Sequence, residues 1–96
     1  MKKTFKLDDG KRHPDRIIEA IKYEVRKYIK REKKKPLPEG VDFWDLKCKT
    51  ALNGEEPKVI EFVEITKAID EASTQKAETL YLEIIATKGY RVKEED

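Results

Sequence analysis

Between two prolines, Pro14 and Pro36, runs a stretch of about twenty residues in which apolar side chains return every three or four positions. Ile17, Ile18, Ile21, Val25, Tyr28 and Ile29 fall within one stripe of about 120° when successive residues are turned by 100°. Pro14 suits a first helical turn, where its missing N–H would have no intrahelical acceptor. Asp15 and Glu19 stand near the positive end of the helix dipole, and Lys33-Lys34-Lys35 near the negative end. Lys35 precedes Pro36, whose ring disfavours helical backbone in the residue before it. The spacing predicts a helix over 14–34. Such a helix draws most of its stability from the surface that covers its stripe, so the rest of the chain has to supply that surface.

Three further segments read as strands. Phe5 and Leu7 alternate with Thr4 and Lys6 over 3–7, and Trp44, Leu46 and Cys48 alternate with Asp45, Lys47 and Lys49 over 41–50. Leu80, Leu82, Ile84 and Ala86 share one face of 79–87. Asn53-Gly54 is a hairpin signal, because two successive residues of that type accept the left-handed backbone of the tightest turns. Lys58-Val59-Ile60-Glu61-Phe62-Val63-Glu64 reads two ways. Its β-branched residues favour a strand over 58–63 that pairs back on 41–50. Alternatively, Pro57 opens a helix whose stripe holds Phe62, Ile65, Ile69 and Ala72. With the strand chosen, a second helix follows over 64–75.

The order is then βαββαβ. The expected fold is α+β, a split-βαβ (ferredoxin-like) two-layer sandwich with a four-stranded antiparallel sheet and two helices on one face. At 96 residues and 38% hydrophobic composition the chain suffices for one modest core. Residues 1–90 are expected to form one domain and 91–96 a charged, frayed tail.

The formal net charge of +2 conceals an imbalance. Residues 1–35 carry 14 Lys+Arg against 6 Asp+Glu, and residues 36–96 carry 8 against 14. Lys22, Arg26, Lys30, Lys33 and Lys34 follow one side of the long helix, away from its stripe. They are the candidate contacts to a nucleic-acid backbone. Lys11, Arg12 and His13 precede the helix start, where free N–H groups favour anions, and form a weaker candidate anion site. Asp8, Asp9 and Asp15 oppose it.

Pro14-Asp15-Arg16, Glu19-Ala20-Ile21-Lys22, Tyr28-Ile29-Lys30-Arg31-Glu32, Leu37-Pro38-Glu39-Gly40-Val41-Asp42-Phe43-Trp44-Asp45, Ile65-Thr66-Lys67-Ala68-Ile69-Asp70 and Tyr81-Leu82-Glu83-Ile84 together resemble a small family of uncharacterised bacterial proteins of about this length. The resemblance spans nearly the whole chain. It implies a bacterial, cytoplasmic setting and a single domain, and it brings no catalytic or binding residue with it. Lys88-Gly89-Tyr90-Arg91 departs from a Pro-Gly-His-Arg-like segment expected near the end of such proteins.

The side-chain inventory narrows the chemistry. One histidine and one cysteine cannot supply a cysteine metal cluster or a disulfide framework, and no cofactor or metal is expected. His13 is the only side chain that titrates near neutrality without a large shift, and it reads as an exposed loop residue or partial cap, so no enzyme is expected. Cys48 reads as a core thiol. No apolar run is long enough to cross a membrane. Base stacking on the sheet of such a fold uses aromatic residues on its central strands, taken here as the first and third. Their outward positions, Thr4, Lys6, Val59, Glu61 and Val63, carry none, and Phe43 and Tyr81 are expected on edge strands. The expectation is therefore a small accessory protein that binds RNA rather than DNA through the basic helix. The alternative is a module that docks an acidic protein.

Overall fold

The computed structural model describes residues 1–8, 10 and 13–91. The elements run β1 (Lys2–Lys6), α1 (Pro14–Lys33), β2 (Phe43–Leu52), β3 (Lys58–Ile60), a 3-10 turn (Phe62–Glu64), α2 (Ile65–Thr74) and β4 (Thr79–Gly89). The α+β class and the βαββαβ order are those the sequence implies. The tail at 92–96 lies outside the described residues. At its start, the Arg91 N–H donates to the Asp42 carboxylate at 2.6 Å.

The strand order is β1-β4-β2-β3, with every neighbouring pair antiparallel. β1 and β2 thus run parallel with β4 between them, and β3 and β4 run parallel with β2 between them, so each βαβ unit is split. The ferredoxin-like order needs correction, since the first and third strands lie at the edges and the second and fourth at the centre. Strand length gives the reason. β2 and β4 pair along the whole of β2, from Phe43↔Gly89 to Leu52↔Leu80. The short strands then fall at the edges, so that fewer backbone groups go unpaired.

The Asn53-Gly54 turn forms with both residues at positive φ, 52° and 75°, which a two-residue turn of this hand requires. Asn53 also accepts from the Glu78 N–H through its side chain at 2.7 Å, tying the turn to the start of β4. The strand expected over 58–63 is real but shorter. Only Lys58–Ile60 pairs, opposite Cys48–Thr50. At Phe62 the chain turns into the 3-10 helix, closed by reciprocal bonds between Glu61 and Glu64.

One face of the sheet carries Phe5, Leu46, Cys48, Leu80, Leu82 and Ile84, which pack with Ile17, Ile18, Ile21 and Val25 of α1 and Ile65, Ile69 and Ala72 of α2. Ile69, Leu80, Leu82 and Ile84 are wholly buried. Trp44, which alternation puts on one face with Leu46 and Cys48, is only half-buried where those two are buried. It lies on the core-side face of β2 near the end of α1, and its indole N–H donates to the Lys35 carbonyl at 3.0 Å.

Candidate functional site

The two helices differ in length. At 1.5 Å per residue α1 spans about 30 Å and α2 about 15 Å. They run antiparallel. Ala72 and Ser73 lie near Pro14 and Ile18, Asp70 bonds Lys22, and Phe62 and Val63 lie near Lys33 and Lys34. The second half of α1 therefore extends past the start of α2, and a groove of about 510 Å³ opens between them. Val25, Ile29, Phe62, Val63, Ile65 and Ile69 form its floor and lip. Val63 is 83% exposed.

All five residues expected along the basic side, Lys22, Arg26, Lys30, Lys33 and Lys34, line this one groove. They do not face away from the apolar stripe. They follow its edge, so the cations stand over apolar side chains. Lys22 is not available to a partner in the way the sequence suggests. Its ammonium is 2.6 Å from Asp70 and 3.9 Å from Glu19, and its side chain is mostly covered. Its row position was legible, but its neutralising partner lies 48 residues away in sequence. Lys33 sits 4.8 Å from the centre of the Phe62 ring. Among the described residues, no carboxylate pairs with Arg26, Lys30, Lys33 or Lys34.

Sequence reasoning missed the part of the floor and lip that Phe62 and Val63 supply. The strand expected over 58–63 takes in Phe62 and Val63, and the exposed Val63 becomes informative only once the 3-10 turn places it beside α1. It also missed Glu32, the one buried charged residue of α1. Glu32 is 2.7 Å from Lys35, and that bond holds its carboxyl below the ordinary value of 4.5. On the opposite flank of α1, Lys27, Arg31 and Lys34 overlook β1, where Lys3 is taken by Glu24 at 2.8 Å. Tyr28 anchors that flank, its hydroxyl 3.3 Å from the Ile84 carbonyl. Burial, then the nearby Glu32, pushes its pKa up.

The weaker anion site does not assemble from what is described. Lys11 and Arg12 lie outside the described residues. His13 is the N-cap of α1, and its Nδ1 accepts from the Asp15 N–H at 3.2 Å, so that nitrogen is committed. Cys48 is buried as expected, and burial pushes its thiol pKa up. Among the described residues, no three His, Cys, Asp or Glu side chains converge on a metal position. No described helix is long and apolar enough to cross a membrane.

The strand order also corrects the account of the open sheet face. Phe43 and Tyr81 stand on its central strands rather than its edges. Their register separates them by eight residues along β4, about 26 Å at the rise of a strand. The Phe43 ring covers Gly89, and the Tyr81 hydroxyl is 2.9 Å from Glu83. Two rings so far apart, with Asp45 and Glu83 between them, do not form a stacking platform for neighbouring bases.

The model of a family of unknown function, DUF6172, matches residues 1–95, and the chain belongs to that family. No curated protein and no solved structure matches it.

Proposed function

Because family membership assigns no role, we propose one from the groove: the chain is a non-catalytic protein-interaction module that docks an acidic, partly apolar segment of another protein between α1 and α2. One observation carries the proposal. The exposed Val63 and the half-buried Ile29 and Phe62 line the same groove as four cations without carboxylate partners among the described residues. A nucleic-acid backbone would engage the cations and leave Val63 wet. Stacked bases would need a free aromatic face, and one side of Phe62 is taken by Lys33. An acidic amphipathic segment uses both layers. A bacterial, cytoplasmic setting, as the resemblance noted in the sequence implies, would suit such a module.

Binding of poly-glutamate, which offers charge alone, is compared with that of a glutamate–leucine copolymer, which offers both layers. Short single-stranded and duplex oligonucleotides are titrated beside them at about 50 mM salt. The copolymer should bind more tightly than poly-glutamate, and Val63→Ser should narrow the gap. A copolymer no better than poly-glutamate overturns the reading. Oligonucleotides that bind tighter than roughly 100 μM, with a salt slope near −2 to −3 that Val63→Ser leaves alone, put nucleic acid in its place.

A further inference from the structure

Resting on that reading, we infer that the occupant of the groove is an α-helix lying parallel to α1, with its carboxylates gathered toward its C-terminal end. The first part follows from what borders the groove. Its lining comes from α1, the 3-10 turn and α2, with no strand among them. With no strand edge in the lining, an extended segment would find no ladder of backbone partners to pair with along the groove. A helix satisfies its backbone internally and presents only side chains. The groove runs beside α1 from Lys22 to Lys34, about 18 Å, the length of roughly three helical turns. Apolar residues at i, i+4 and i+7 of the incoming helix would share the face turned to the groove, where Ile29 and Phe62 are half-buried and Val63 is exposed.

The second part follows from the charge at the two ends. At the Lys22 end the cation is already neutralised by Asp70 and Glu19. Asp70 is itself half exposed there, so this end accepts a positive helix N-terminus. At the other end Lys30, Lys33 and Lys34 stand together without carboxylate partners among the described residues. That end favours the negative C-terminus of a helix and any Asp or Glu in its last turns. The dipoles of α1 and α2 do not disturb this choice, because α1 ends and α2 begins at that same end, and their opposite poles offset. The side-chain charges therefore set the direction.

A display library of random peptides of about 16 residues is selected on the whole chain, with counter-selection on Val63→Ser and on Arg26→Ala/Lys30→Ala. The enriched peptides should be acidic, with apolar residues at i, i+4 and i+7 and carboxylates in the C-terminal half. A proline placed mid-peptide should weaken binding about 100-fold, since it removes the helix the groove requires. A spin label on the peptide C-terminus should broaden the amide signals of Lys33 and Lys34 and spare those of Lys22 and Asp70. Failure to enrich any peptide that depends on Val63 overturns the docking reading itself. Enriched peptides that alternate with period two, or that tolerate the proline, leave the groove a docking site and overturn the helix. A label that broadens Lys22 and Asp70 instead overturns the orientation alone.

Discussion

The two halves of α1 obey the same sequence pattern and meet different fates. From Pro14 to Val25 every stripe residue, Ile17, Ile18, Ile21 and Val25, is buried against the sheet and α2. From Arg26 to Lys33 the stripe continues through Tyr28 and Ile29, which are only half-buried, and the one fully covered side chain is a carboxylate, Glu32. The difference originates outside α1. α2 starts at Ile65, because residues 58–64 are spent on a short strand and a 3-10 turn. A helix opening at Pro57, the alternative reading of that segment, would have spanned about 27 Å and covered α1 almost to its end. The groove is thus the consequence of a local choice between strand and helix, made some thirty residues from the cations it exposes.

The largest expected effect tests whether the two halves differ energetically. Ile21→Ala removes a fully packed side chain and should lower unfolding stability by about 2–5 kcal/mol in a urea titration. Ile29→Ala removes a half-covered one and should cost less than half as much. Equal losses would mean that the second half of α1 is as well packed as the first.

Glu32 offers a second, pH-dependent probe of the overhanging half. Its folded pKa lies below the ordinary 4.5, chiefly through the bond to Lys35. A carboxyl so depressed contributes stability above its unfolded pKa and loses it as pH falls through the lowered folded value. Glu32→Gln should therefore lower the urea midpoint at pH 7. The gap from wild type should shrink as acid is added below the ordinary value. A gap constant from neutral to strongly acidic pH would show that Glu32 acts by packing alone.

Periodicity made α1 and its cations legible, because those features are local. The side chains repeat on a helix whatever surrounds it, and prolines mark its ends. Strand order was not legible, since nothing local to β1 says whether it lies at the edge or the centre. That was decided by the length match of β2 and β4. The pairing of Lys22 with Asp70 was invisible for the same reason, and so was the place of Val63. Exposure of a valine is a fact about what fails to cover it, and no pattern in its own neighbourhood records that.

The smallest effect is the most telling for function, because its sign is the test. Arg26 and Lys30 are four residues apart, as are Lys22 and Arg26, and Lys30 and Lys34. Like charges at that spacing destabilise a helix by about 0.2–0.5 kcal/mol per pair. Among the described residues neither Arg26 nor Lys30 has a carboxylate partner to offset this. Alanine is in addition the strongest helix former. Arg26→Ala/Lys30→Ala should therefore stabilise the chain slightly, by a few tenths of a kcal/mol at low salt. The electrostatic part should vanish near 1 M salt, where screening falls to about 3 Å. The same double variant should lose affinity for the glutamate–leucine copolymer. Gain of stability with loss of binding is what a surface kept for a partner predicts, since the repulsion persists in the free chain and is relieved only by incoming carboxylates. A loss of stability on the double change would instead mean that Arg26 and Lys30 hold the overhang together, making the row of cations a structural feature of α1.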